Sequence, residues 1–129
     1  MKIGLQAYIK GSTDAIDFYQ KAFGTVLGYN VLNADGTYMH AELYLGDQML
    51  IALSEAGSNT GTELMMQHSS SDYPTMNFGV NLGSAEAVTK AYEVLTEGGI
   101  ILLPIGPLPW NACCANVIDR FGVFWYISI

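Results

Sequence analysis

Positive charge is scarce in this sequence. Lys and Arg together number 5 against 12 Asp and Glu, for a net charge of −7. Nucleic-acid binding needs a Lys/Arg surface that displaces phosphate counterions, so the composition argues against it. Cysteine is scarce too. The two present, Cys113 and Cys114, are adjacent and make no disulfide framework, so a reducing cytoplasm is the expected compartment. No histidine or basic residue stands near them in sequence to activate a thiolate, and a nucleophilic role is not expected. Long apolar runs are missing as well. Nothing approaches the roughly 20 residues of a membrane-spanning helix. The start, MKIGLQAYIKG, has no long apolar segment followed by a small-residue cleavage site, so no signal peptide is expected.

What the chain does have is apolar mass. Half of its 129 residues are hydrophobic and 13% are charged, enough for a single domain, 1–129, with a full core. The acidic surplus favours solubility and would attract cationic small molecules at long range.

The sequence is also written twice. GSTDAIDFYQ (11–20) and GSAEAVTKAY (83–92) align without a gap at an offset of 72. Each follows a strand-like run, IGLQAYI (3–9) or MNFGVNL (76–82), and each reads as a helix start. Ser12 or Ser84 would be the N-cap, with Asp14 or Glu86 near the positive helix end. Val88, Ala91, Tyr92 and Leu95 fall on one helical face, and Gly98 would stop that helix. Ile16, Tyr19 and Phe23 do the same in the first copy, with Gly24 or Gly28 as the stop. Strands are expected near 27–33, 37–45 and 48–54, and again at 100–104, 112–118 and 123–129. The organisation is therefore a first βαβββ module, 1–55, a linker, 56–74, and a second module, 75–129. The apolar ending VFWYISI becomes the eighth strand.

Three stretches carry a family resemblance: AIDFYQKAFG (15–24), MHAELYLGDQML (39–50) and the spacing of Trp110, Asp119, Phe121-Gly122-Val123 and Trp125. With the repeat, they resemble the PhnB-like branch of the vicinal oxygen chelate superfamily, which includes glyoxalase I, bleomycin-resistance proteins and extradiol dioxygenases. The resemblance implies an α+β fold in which tandem βαβββ repeats form a cup-shaped mixed sheet with helices on the outer face. The branch has also carried a ubiquinone-pathway methyltransferase label. No glycine-rich strand-to-helix loop is present to seat S-adenosylmethionine, so that activity finds no support.

In metal-dependent members the resemblance implies four His, Gln or Glu ligands, from the first, fourth, fifth and eighth strands, holding a divalent ion that polarises vicinal oxygens. The corresponding positions here offer Gly4 or Gln6, Ala52 or Ser54, Met76 or Phe78, and Tyr126. A lone amide does not hold a divalent ion that prefers carboxylate or imidazole, so no metal ligands are assigned and no cofactor is expected. His68 lies in the linker beside three serines and reads as solvated.

His40 is different. On TYMHAELYL, Tyr38, His40, Glu42 and Tyr44 alternate onto one strand face and Met39, Ala41, Leu43 and Leu45 onto the other. The polar row either lines a ligand pocket, with His40 and Glu42 reading or deprotonating the ligand, or is the solvated side of a one-sided strand. Both readings stay open. Trp110, after the proline-rich loop PIGPLP, is a candidate lid over an aromatic-lined cup, whereas Trp125 reads as core. The ligand-binding candidates are Gln6, Tyr38, His40, Glu42, Phe78, Trp110 and Tyr126, and the candidate catalytic pair is His40 and Glu42.

Three functions follow, in this order. The first is a metal-free small-molecule binding protein for a cationic or aromatic ligand. The second is a glyoxalase- or dioxygenase-type enzyme, metal-dependent or assisted by His40 and Glu42. The third is a structural or regulatory dimer with a vestigial pocket. A homodimer is expected, because an apolar last strand without a charged tail would leave an edge seeking cover.

Overall fold

The computed structural model describes residues 1–57, 74 and 76–129. Most of the expected linker, including His68, lies outside the described residues. The elements run β1 (Gln6–Ile9), α1 (Ser12–Phe23), β2 (Val26–Leu32), β3 (Tyr38–Leu45), β4 (Gln48–Glu55), β5 (Phe78–Asn81), α2 (Ala85–Leu95), β6 (Ile100–Leu108), β7 (Asn111–Ile118) and β8 (Phe124–Ser128). The chain thus folds as two βαβββ modules, an α+β architecture with two four-stranded mixed sheets. Compactness divides it into two units, 1–20 with 24–72 and 21–23 with 73–129.

In the first unit the strand order is β1-β4-β3-β2. β1 runs parallel to β4, and β4, β3 and β2 are antiparallel neighbours. Apolar alternation decides which face is covered. Ala41 and Leu43 of β3 pair with Leu53 and Ile51 of β4, and all four are fully buried. The intervening Tyr38, His40, Glu42 and Tyr44 remain half-buried on the opposite face.

The start of α1 differs from the expectation. Gly11, at φ 87°, takes the N-cap place, and Ser12 is the first helical residue. Its buried hydroxyl donates to Glu55 (2.8 Å) and accepts from the Tyr38 N–H (2.9 Å). The Glu55 carboxylate also takes the Gly11 and Ser12 N–H groups at 2.9 and 2.8 Å. A carboxylate on the end of β4 therefore supplies the capping that a serine normally provides. Gly24 ends the helix at φ 70°, its N–H returning to the Gln20 carbonyl.

In the second unit the order is β5-β8-β7-β6. Here Ser84 is the N-cap, accepting from the Ala87 N–H at 3.2 Å. Val88, Ala91, Val94 and Leu95 bury the inner face of α2. The helix ends at Thr96, ahead of the expected stop at Gly98, which follows with a left-handed φ of 71°. Val117 and Ala115 pair with Trp125 and Ile127, again all fully buried. The Trp125 ring lies 5.0 Å from that of Phe23 and 5.8 Å from that of Phe78, centroid to centroid.

The strand β6 runs from Ile100 through Leu108 and absorbs the stretch read from sequence as a proline-rich loop. It is an edge strand, where a missing proline N–H costs no ladder bond, and its register against β7 shifts repeatedly. The last strand, in contrast, is interior, flanked by β5 and β7. That removes the open last strand as a reason for dimerisation. The exposed apolar side chains near this sheet's edge belong to β6: Ile100, Ile101 and Leu102. No helix among the described residues is long and apolar enough to cross a membrane.

Candidate functional site

His40, Glu42 and Tyr44 of the half-buried row on β3 form a connected polar cluster. Same-face neighbours on a strand are two residues apart, and here they are joined through Glu42. His40 Nε2 lies 3.1 Å from one carboxylate oxygen, and the Tyr44 hydroxyl donates to the other at 2.6 Å. The Tyr44 hydrogen bond, with a smaller contribution from His40, holds the Glu42 carboxyl below the usual carboxylate range. The same bond, with some burial, raises the Tyr44 phenol above its ordinary value. Glu42 is thereby a fixed negative charge on an accessible face, its side chain 22% exposed beside His40 at 33%. The ring of Tyr29, on the edge strand β2, stands 6.1 Å from the His40 ring.

A concavity of about 650 Å³ reaches this cluster from one end of the sheet. Glu42 and Tyr44 line it together with Ile3, Leu45 and Met49, while Asp47 and Lys2 add a second carboxylate and one ammonium. A lining of apolar side chains with two carboxylates against one cation suits a ligand with a positive head and an apolar body.

Of the sequence candidates, His40 and Glu42 are brought together. Tyr38 stands in the same row, its backbone N–H taken by Ser12. Gln6 lies on the same sheet, opposite Ala52, which in turn lies opposite Glu42. The Gln6 amide donates to Ser54 at 3.0 Å. The remaining candidates belong to the other unit. Trp110, 72% exposed, donates its indole N–H to the Tyr126 hydroxyl at 3.1 Å. Tyr126 is pushed up, first by burial and then by a hydrogen bond with Cys114.

Phe78 has to be reassigned. It pairs with Trp125, and its ring meets that buried tryptophan edge-on, on the core side. The open-face neighbour of Tyr126 on β5 is Gly79. The reason is a slip in the repeat. Buried Ile9 corresponds to buried Val80, one residue short of the offset that aligns the helices. A one-residue slip moves a whole strand to the opposite face.

The four strand positions at which metal-dependent relatives would place ligands therefore present Gln6, Ala52 or Ser54, Asn77 or Gly79, and Tyr126. The Gln6 amide is tied to Ser54, the Asn77 amide donates to Asn116 at 3.3 Å, Gly79 has no side chain, and the phenol's raised pKa keeps its proton on. This donor set does not fit a divalent ion. Among the described residues, no three His, Cys, Asp or Glu side chains gather where they could share an ion.

Sequence reasoning missed Gly28, Tyr29 and the lining contributed by Lys2, Ile3, Asp47 and Met49. Tyr44 was legible in the alternation of the row, but its bond to Glu42 was not. Gly28 carried a signal in being a glycine inside a strand, which often marks a close approach. The sequence leaves Gly24 and Gly28 as alternative helix stops, and Gly24 takes that place.

A family profile described as the Glyoxalase/Bleomycin resistance protein/Dioxygenase superfamily matches residues 5–127. Among solved structures, the PhnB protein from Bacillus cereus superposes with a TM-score of 0.77 at 22% identity, over 99% of this chain and 98% of that one. Protein PA1353 from Pseudomonas aeruginosa gives 0.76 at 22% identity, over 99% and 96%. The fosfomycin resistance protein FosX from Listeria monocytogenes gives 0.67 at 12% identity, over 99% and 88%. No curated protein sequence matches the chain.

Proposed function

The chain belongs to the glyoxalase/bleomycin resistance protein/dioxygenase superfamily, and from that premise we propose that it is a metal-free small-molecule binding protein for an organic cation. The observation that carries this reading is the Glu42 carboxylate, kept ionised by Tyr44 and His40 on the open face of the first sheet. A cation bound there meets a carboxylate held in place before it arrives, so little ordering remains to be done on binding. Tyr44, which lines the concavity, offers an aromatic ring to a quaternary or aromatic ammonium. Ile3, Leu45 and Met49 accept its apolar body. The net charge of −7 adds long-range attraction of the same sign.

A mutant of FosX has been solved in complex with Mn(II) and 1S,2S-dihydroxypropylphosphonic acid, a metal and an acid. Among the described residues, the corresponding strand positions do not make a donor set for a metal, and the net charge of −7 disfavours an anion. Its ligand class is accordingly the opposite one.

Chemical-shift mapping with three probes of similar size tests the proposal: benzyltrimethylammonium, benzyl alcohol and benzoate. The expected result is saturable perturbation by the ammonium, centred on Glu42, Tyr44, Met49 and the side chain of His40. Equal perturbation by the neutral or anionic probe, or a response confined to other residues, would count against it.

A further inference from the structure

We propose that Gly28 is a positioning residue of this site: because it lacks a side chain, the Tyr44 ring can lie against the β2 backbone and deliver its hydroxyl to Glu42. The inference rests on the reading of Glu42 as the ligand-facing group.

The geometry is specific. A Cβ built on Gly28 would fall 2.6 Å from Cε2 and 2.8 Å from Cδ2 of Tyr44, and 3.6 Å from the Glu42 carbonyl oxygen. Both close atoms belong to a rigid ring, so the contact is relieved only if the whole ring moves, and its hydroxyl moves with it. Gly28 is not among the glycines with positive φ, so its role is to leave space and not to permit an unusual backbone conformation.

The register explains why the ring is there. Tyr44 is paired across the ladder with Val26, and Leu43 with Leu27. Gly28 is thus the diagonal neighbour of Tyr44, within reach of an aromatic side chain on an antiparallel pair. Leaning along that diagonal carries the ring back toward Glu42, and the 2.6 Å hydrogen bond is the result. The ladder between β2 and β3 is irregular from Leu27 to Asn30, and the Asn30 amide donates to the Gly28 carbonyl at 2.9 Å. The backbone under the ring is therefore shaped and tied locally.

The test follows the Glu42 carboxyl by carbon NMR in the ligand-free protein, across Gly28→Ala, Tyr44→Phe and the double variant. The titratable and charged groups near that carboxyl are His40 and Tyr44 on its own strand, with Lys2 and Asp47 lining the same concavity. A ring displaced by the new methyl loses its hydrogen bond, so Gly28→Ala should raise the Glu42 midpoint toward the ordinary glutamate value, as Tyr44→Phe does. The double variant should add nothing further. A folded Gly28→Ala protein with the wild-type Glu42 midpoint would overturn the assignment. Should Gly28→Ala fail to fold, Gly28→Ala with Tyr44→Ala removes the ring that the methyl meets. Recovery of folding then supports the assignment, and continued failure overturns it, since the strain would lie elsewhere. Affinity for benzyltrimethylammonium should fall severalfold in Gly28→Ala and Tyr44→Phe alike. If the wild type binds none, the cation reading fails while the titration still decides the role of Gly28.

Discussion

Asp119 should be among the most costly polar residues to alter. It is 3% exposed and sits at the turn into the last strand. One carboxylate oxygen accepts the Phe121 and Val123 N–H groups at 2.9 and 3.1 Å, and the other accepts the Trp125 indole N–H at 2.8 Å. Asp119→Asn keeps the first oxygen but turns an amide donor toward the indole donor. A hydrogen bond to a buried charge contributes about 1.5–3 kcal/mol, and a stranded buried donor costs about 1–3 kcal/mol. The expected loss is about 3–5 kcal/mol, most of the stability of a small domain near the low end of the usual 5–15 kcal/mol range. Urea unfolding followed by circular dichroism and tryptophan fluorescence reads this as a midpoint lowered by about 2 M for a slope near 2 kcal/mol per molar. Trp125→Phe removes the donor, and adding it to Asp119→Asn should cost less than the two changes separately. An Asp119→Asn protein within about 0.5 kcal/mol of wild type, the range of an ordinary surface change, would refute the reasoning.

Because the Glu42 pKa is lowered in the fold, its bonded carboxylate contributes stability that is complete above the ordinary glutamate value. That contribution is lost as pH falls through the lowered one; carbon NMR of the side chain locates the window, and Tyr44→Phe should move it upward. Removal of Tyr126 to Ile129 takes away most of a strand held between β5 and β7 and should yield insoluble protein, with a soluble, folded truncation as the contrary result. EDTA should leave the melting temperature unchanged; a chelator-sensitive transition with stoichiometric metal would contradict the metal-free proposal. Light scattering at micromolar concentration is expected to give the mass of a homodimer, with the apolar Ile100 to Leu102 segment as its surface, and a monomer mass would exclude it.

The duplicated fold was legible because helices and buried strand faces leave periodic signals. The Gly-Ser start at 11 and 83 marks both helices, and alternation on β3 separates Ala41 and Leu43 from His40 and Glu42. Trp125 read as core and is fully buried. The failures have local causes. An extra residue between β5 and α2 broke the offset, and Phe78 moved to the core face. The strand expected at 100–104 runs on to Leu108, and Pro107 read as loop because a proline signal does not reveal that its strand is an edge. Ser12 resembled an N-cap, yet the cap came from Glu55, 43 positions away in sequence. In the site, residue types and the shared face could be read. The Tyr44–Glu42 bond could not, because it depends on a ring leaning over Gly28 on the neighbouring strand.

The central claim is that Glu42 binds an organic cation without the aid of a metal. Calorimetric titration of chelator-treated protein with benzyltrimethylammonium, run beside Glu42→Gln, tests it most directly. The account predicts one-to-one binding by the wild type, weakened about tenfold or more in Glu42→Gln, as expected when a charge-assisted contact becomes a neutral one. Equal affinity in the two proteins, or binding that appears only after a divalent metal is restored, would contradict it.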